Sequence, residues 1–215
     1  MGKSVRLKRL AIARDVLAQL KLKRYKSTPG TYLHINDVPD IDTIDPNVSI
    51  QELFKTQPDV SCEVCALGAC FMSLINLDNK VNVGQFCTEE ELDYNSRKYL
   101  DADFDLMHER LGKYFPGHML ALIESAFEMR EMGTSDTDPR FARFYEAYDL
   151  IPEHLYQPAI VWGKRYKNSN ERLKAIMQNI VRNGGDFIVP KKLVAKYGKR
   201  PEDLVTIKEQ ERSWS

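Results

Sequence analysis

The ten residues Ala66–Ile75 constrain the fold of this 215-residue chain more than any other segment. They carry no charged side chain and form the longest apolar run in the sequence. A helix needs about 20 apolar residues to span a bilayer, so a run of this length belongs in the core of a folded protein. We therefore predict a buried helix over Cys62–Leu77, with other helices packed against it.

Helical periodicity recurs in three further segments. Apolar residues return every three or four positions in "SVRLKRLAIARDVLAQLKLKRY", "HMLALIESAFEMREMG" and "NSNERLKAIMQNIVRNGG". The third segment opens with Asn168, Ser169 and Asn170, any of which can cap a helix, and Asn183-Gly184 can end it. Less regular helices are predicted at 49–56 with Ser49 as the cap, from a cap at Thr88 toward residue 114 with a break near 101–105, at 140–150, and after Pro190.

Strand and loop signals are weaker. "TYLHI" alternates and favours a short strand, whereas 36–61 is rich in Asp and Pro and is predicted to be a loop-rich acidic insertion. Residues 190–215 form a basic C-terminal tail. No Gly- or Ser-rich linker divides the chain. The sequence thus predicts one mainly α domain over 1–215, a single-domain helical bundle-like fold with one or two short strands and a long acidic loop.

Charge is balanced overall but unevenly placed. The formal net charge is zero, which gives no global attraction to nucleic acid or to an anionic membrane. Basic residues are nevertheless concentrated near both ends, so these ends either fold against the acidic middle or form a basic face for an anionic partner. The second interpretation gives eight candidate binding residues: Lys21, Lys23, Arg24, Lys26, Lys164, Arg165, Lys167 and Arg172.

Three of the four cysteines, Cys62, Cys65 and Cys70, lie close together, and three readings are open. Free cysteines are most often small core residues, which favours packing. Cys62 and Cys65 form half of a zinc motif, but no second pair follows, so no metal site is predicted. If Ser61 capped a helix, Cys62 would lie in its first turn, where a thiol becomes more acidic. Cys62 or Cys65 could then act as a nucleophile, with the base drawn from the four histidines, His34, His108, His118 and His154.

The sequence has neither of two nucleotide-binding motifs, G-x-x-x-x-G-K-[ST] and G-x-G-x-x-G, and it lacks the serine-nucleophile motif G-x-S-x-G. No cofactor is therefore predicted. The basic start "MGKSVRLKRL" is not followed by the apolar core and cleavage site of an export signal, so we expect a cytoplasmic protein.

Two segments resemble a family of small, uncharacterised proteins encoded by tailed bacteriophages and some bacteria. These are C-x2-C-A-L-G-A at Cys62–Ala69 and N-x-x-E-R-L-x-A-I-M-x-N-I-x-x-N-x-G-x-F at Asn168–Phe187. The family has no agreed activity. The resemblance implies an accessory phage protein in the cytoplasm of the host bacterium, with the cysteines in its core.

The resulting hypothesis is a non-catalytic binding protein. It would inhibit a host defence protein or sequester that protein's anionic small-molecule signal, with charged patches steering association. Nucleic acid and membrane are not expected as partners, and self-association is left open. The alternative is a cysteine-dependent enzyme that uses Cys62 or Cys65 with a histidine base.

Overall fold

The computed structural model describes residues 2–38, 44–57, 59–78, 81–87, 99–129 and 153–198. These ranges contain nine helices: α1 (Lys3–Lys21), α2 (Ile50–Thr56), α3 (Ala66–Asp78), α4 (Val83–Phe86), α5 (Phe104–Gly112), α6 (Gly117–Glu128), α7 (Glu153–Gly163), α8 (Ser169–Arg182) and α9 (Lys191–Tyr197). The prediction of a helix-rich protein is confirmed. The predicted cap at Thr88, the predicted 140–150 helix and the tail beyond Gly198 lie outside the described residues.

The described ranges also hold a four-stranded sheet made of β1 (Tyr25–Ser27), β2 (Leu33–Asn36), β3 (Ser61–Val64) and β4 (Tyr99–Asp101). The strand order is β1-β3-β2-β4; β1 runs parallel to β3, and the other pairs are antiparallel. Only β2 follows from the sequence pattern, so the expectation of one or two strands is too low. Three or four residues are too few for a periodicity to stand out.

The segment around the cysteines differs from the prediction. Cys62 lies in the central strand β3, and the helix α3 begins only at Ala66. Cys62 and Val64 are buried while Ser61 and Glu63 are partly exposed, which is the alternation of a strand with one face on the core. Cys62 and Cys65 therefore do not share a helix face. The buried part of the prediction is correct, because every residue of Ala66–Ile75 is buried.

Two glycines allow helices to approach neighbouring backbone. A Cβ on Gly68 of α3 would lie 1.7 Å from the carbonyl oxygen of Tyr32, and one on Gly163 of α7 would lie 1.9 Å from that of Ala126. No side chain fits at such a distance, so glycine is required at both positions. These contacts set the position of α3 against the start of β2 and of α7 against α6.

The helices α1 and α8 pack against each other and are joined at one end by a buried arginine. Arg9 is 1% exposed; its Nε donates to the Gly185 carbonyl at 2.6 Å and its Nη1 to the Tyr114 carbonyl at 2.8 Å. A further bond joins its Nη2 to Asp186 at 2.5 Å. Because the guanidinium has these partners, its burial is compensated, and it fixes the end of α1 that lies away from β1.

The turn after α8 follows the sequence prediction. Gly184 and Gly185 have φ values of +66° and +103°, and the Gly185 N–H donates to the Ile180 carbonyl at 2.8 Å. This left-handed termination reverses the chain after Asn183, as expected. Among the described helices, none has the length and apolar character needed to cross a bilayer.

Candidate anion-binding site

A groove of about 580 Å³ lies where the end of α1, the strand β1 and the start of α8 meet. We call it the lysine groove because four of its lining residues are lysines. It is lined by Leu17, Leu20, Lys21, Lys23, Tyr25, Lys26, Asn170, Glu171 and Lys174. Volumes between about 300 and 1,000 Å³ are typical of small-molecule sites.

The end of α1 places two of these lysines. Lys21 is the last helical residue, and Lys23 follows with a φ of +59°, in the left-handed region that normally favours glycine. The Arg24 N–H donates to the Gln19 carbonyl at 3.1 Å, which closes the helix end as a left-handed cap usually does. The backbone conformation at this position is therefore less favourable for lysine than it would be for glycine. Local backbone strain of this kind is found at functional sites.

The start of α8 is held against β1 by side-chain bonds. Asn168 caps the helix by accepting from the Glu171 N–H at 2.8 Å. The Ser169 hydroxyl donates to the Ser27 carbonyl at 2.7 Å, and Asn170 Oδ1 accepts from the Ser27 N–H at 2.9 Å. These bonds fix Glu171 and the next turn of the helix, which carries Lys174, along the other side of the groove.

Three lysines of the groove have no ion-pair partner in the part of the chain that the structure describes. Lys26 Nζ lies 2.6 Å from Glu63 Oε1, which partly neutralises it. Within the described ranges no carboxylate comes within ion-pair distance of Lys21, Lys23 or Lys174. Lysines that line one groove without ion-pair partners give it a positive potential, so the arrangement is expected to attract an anion.

The structure separates the eight binding residues predicted from the sequence. Lys21, Lys23 and Lys26 line the groove, whereas Arg24 lies between them in sequence without lining it. The second group, Lys164, Arg165 and Lys167, is exposed in the turn between α7 and α8, and none of the three lines the groove.

Arg172, the eighth predicted residue, is not on the surface. It is only 3% exposed, and its guanidinium lies 5.5 Å from the centre of the Phe127 ring. Burial lowers the pKa of Arg172, while the nearby Glu128 acts in the opposite direction. This arginine therefore packs inside the protein beside α6 and does not add to the exposed charge.

The thiols of Cys62 and Cys65 lie in the interior, and burial dominates their acidity. Burial raises the pKa of Cys62 well above its usual value. Burial also raises the pKa of Cys65, and the nearby Glu124 adds to this effect. Cys65 occupies the cap position of α3, and its Sγ accepts from the Gly68 N–H at 3.4 Å, which lowers the pKa by less than burial raises it. Both thiols are thus expected to stay protonated near neutral pH.

The four candidate histidines have different surroundings. His34 pairs with Glu63 in the sheet, on the opposite face from Cys62, and its Nε2 lies 3.3 Å from Asp101 Oδ1. Burial lowers the pKa of His108 to about 4. His118 is exposed, and the side chain of His154 is not described. Among the described side chains, no imidazole shifts the pKa of Cys62 or Cys65.

A second, smaller cavity of about 220 Å³ lies between α3 and α5. Its cations, Arg110 and Lys113, lie at the end of α5, where the negative end of the helix dipole accounts for positive charge. Its acid, Asp78, is already paired with Lys8. In the described part of the chain, no group of three or more His, Cys, Asp or Glu residues could hold a metal ion. The lysine groove is therefore the stronger candidate.

The comparisons with known proteins add no identification. No protein-family model, no curated protein and no solved structure matches this chain.

Residues of the groove that the sequence did not single out are Leu17, Leu20, Tyr25, Glu171 and Lys174. Lys174 lies on α8, about one helical turn beyond Asn170, in a segment that a sequence reading treats as an ordinary solvated helix. Its role follows only from the packing of α8 against α1. The periodicity of each helix is visible in the sequence, but the pairing of two helices distant in sequence is not.

Proposed function

We propose that this protein is a non-catalytic binding protein whose lysine groove holds an anionic small molecule. The observation that carries the proposal is that Lys21, Lys23 and Lys174, none of which has an ion-pair partner among the described residues, line one concave site. Lys26, shared with Glu63, adds a fourth cation at the rim.

The shape of the site favours a small molecule over a protein surface. Protein interfaces are generally broad and bury about 800 Å² on each partner, whereas a concave volume of about 580 Å³ suits a compact ligand. Of the two binding hypotheses, sequestration of an anionic signal is thus better supported than occlusion of a host protein. In the phage setting implied by the sequence resemblance, the protein would remove a signal on which a bacterial defence protein depends.

The chemistry of the thiols supports binding over the cysteine-enzyme alternative. A nucleophile needs a thiolate and a base, and burial works against the first at both Cys62 and Cys65. The described contacts supply no base at either sulfur.

The test is calorimetric titration with inorganic pyrophosphate at low salt. We compare the unmodified protein with the triple variant Lys21→Gln, Lys23→Gln, Lys174→Gln. At about 1 kcal/mol for each exposed lysine near the anion, the triple variant should bind roughly 100-fold more weakly.

The matched control neutralises three exposed bases outside the groove: Lys164→Gln, Arg165→Gln, Lys167→Gln. This control should bind pyrophosphate nearly as well as the unmodified protein. Equal weakening in the two triple variants would reduce the effect to overall charge and contradict a site in the groove. The absence of any pyrophosphate binding to the unmodified protein would contradict the proposed function itself.

A further inference from the structure

We infer that the ligand of the lysine groove is a nucleotide, with its phosphates on the lysines and its base and ribose on the remaining wall. The inference rests on the proposed function, because it names the ligand class of the same site. Three features of the groove carry it: its charge, its apolar wall and its one acid.

The charge of the groove matches a phosphate ester better than a carboxylate. Lys21, Lys23, Lys26 and Lys174 contribute four positive charges. Glu171 in the lining and Glu63, paired with Lys26, contribute two negative charges, which leaves a net charge of +2. A phosphate monoester carries a charge of about −1.5 to −2 near neutral pH and balances this positive charge, whereas a monocarboxylate would leave half of it unbalanced.

The apolar wall calls for a ligand with a second, less polar part. Leu17 and Leu20 lie on one face of α1 and are partly buried against the core, whereas Tyr25 from β1 lines the groove but is only 3% exposed, so the accessible apolar wall is made mainly by the two leucines. The Tyr25 hydroxyl is held by Ser73 at 3.2 Å and by Asn76 at 3.2 Å, which fixes the ring in place. An inorganic ion would leave this apolar surface exposed to water, whereas a flat base would cover it.

Glu171 places a hydrogen-bond acceptor in the lining of the groove, which suits a ligand that also offers hydrogen-bond donors. A carboxylate in a cationic site weakens any pure anion by repulsion, so a useful role requires a donor on the ligand. The two hydroxyls of a ribose are such donors, and a carboxylate can accept from both. The backbone of Glu171 is fixed at the start of α8, since its N–H donates to the Asn168 cap at 2.8 Å.

A structural role for Glu171 makes a different prediction. Acids in the first turn of a helix are favoured by the helix dipole whether or not a ligand binds. The chain provides a matched control in Glu52, which holds the same position, three residues after the cap, in α2. Glu52 is exposed and does not line the groove.

The experiment is a calorimetric series with pyrophosphate, ribose 5-phosphate, AMP, ADP and adenosine. The unmodified protein should bind ADP at least tenfold more tightly than pyrophosphate, and AMP more tightly than ribose 5-phosphate, because the base covers the apolar wall. Adenosine alone should bind weakly. Leu17→Asn should weaken ADP several-fold and leave pyrophosphate unchanged.

The decisive variant is Glu171→Gln, because loss of the carboxylate should change the affinities for pyrophosphate and for ADP in opposite directions. Loss of repulsion should tighten pyrophosphate binding, whereas loss of the ribose contact should weaken ADP by about fivefold. Glu52→Gln should change neither affinity. Tighter binding of both ligands by Glu171→Gln, or ADP no tighter than pyrophosphate in the unmodified protein, would overturn the nucleotide inference while leaving an anion site in place. If none of the anions bound, the proposed function would fail together with the inference.

Discussion

Lys23 should lower the stability of the fold and strengthen anion binding, and the variant Lys23→Gly tests both effects. Its φ of +59° costs an L-residue about 1–2 kcal/mol, which glycine avoids. Glycine also gives the unfolded chain more conformational freedom, which lowers the free energy of unfolding by about 0.4–1 kcal/mol. The free energy of unfolding of Lys23→Gly should therefore rise by about 0.5–1 kcal/mol, which corresponds to a melting temperature about 1–4 °C higher.

The same change should weaken binding. Removing one of the three lysines that lack an ion-pair partner among the described residues should weaken the binding of pyrophosphate by about 1 kcal/mol, or roughly fivefold. Lys23→Ala is the matched control, because it also removes the charge but keeps a Cβ at positive φ. Urea denaturation and calorimetry measure both properties. Equal unfolding free energies for the two variants would refute the strain argument, and unchanged affinity in both would exclude Lys23 from the site.

Three further predictions concern the core. Gly68→Ala should lower the free energy of unfolding, measured by chemical denaturation, by at least about 3 kcal/mol, because the new Cβ would lie 1.7 Å from the Tyr32 carbonyl oxygen. The control Gly112→Ala should change it little, because nothing lies within 4 Å of a Cβ at that position. Since burial lowers the pKa of His108 to about 4 from 6.5, this group's contribution to stability is full above about pH 6.5 and is lost as the pH falls toward 4. His108→Gln should flatten that pH dependence by about 3 kcal/mol, and a profile that does not change would contradict it. All four cysteines are buried, and burial raises the pKa of Cys70 to about 12. Iodoacetamide at neutral pH should therefore label none of the four before the protein unfolds. Rapid labelling of any one of them in the folded protein would favour the cysteine-enzyme alternative.

The strongest sequence signals correspond to real elements because their causes are local. The helix α8 has its cap at Asn168 and its left-handed end at Gly184, as predicted from side-chain chemistry within one turn. The short helix α2 likewise begins at the predicted Ser49 cap. In both segments the residues that decide the boundary lie next to it in sequence.

The error at Cys62 has a different origin. The sequence "SCEV" carries only four residues of alternation and runs directly into an apolar helix, so the helical period of the longer segment extends over it. Its strand character comes from hydrogen bonds to β1 and β2, which lie some 30 residues earlier in the chain. A pattern read along one segment cannot contain that pairing.

The candidate site shows the same limit. The cluster Lys21, Lys23 and Lys26 is visible as a run of bases, but its interpretation as one side of a groove needs Lys174 from the opposite helix. The second basic group, Lys164–Lys167, looks equivalent in sequence and lies elsewhere on the surface. Charge counts identify candidates, and only the packing of α1 on α8 chooses between them.

The most direct test of the central claim is to locate a bound anion. In ¹⁵N-labelled protein titrated with pyrophosphate, the largest amide chemical-shift changes should fall on residues 21–26 and 169–174, the two segments that border the lysine groove. Saturable shift changes confined to those segments are the predicted result. Changes concentrated on residues 164–167 or around α5, with the groove amides unmoved, would contradict the account.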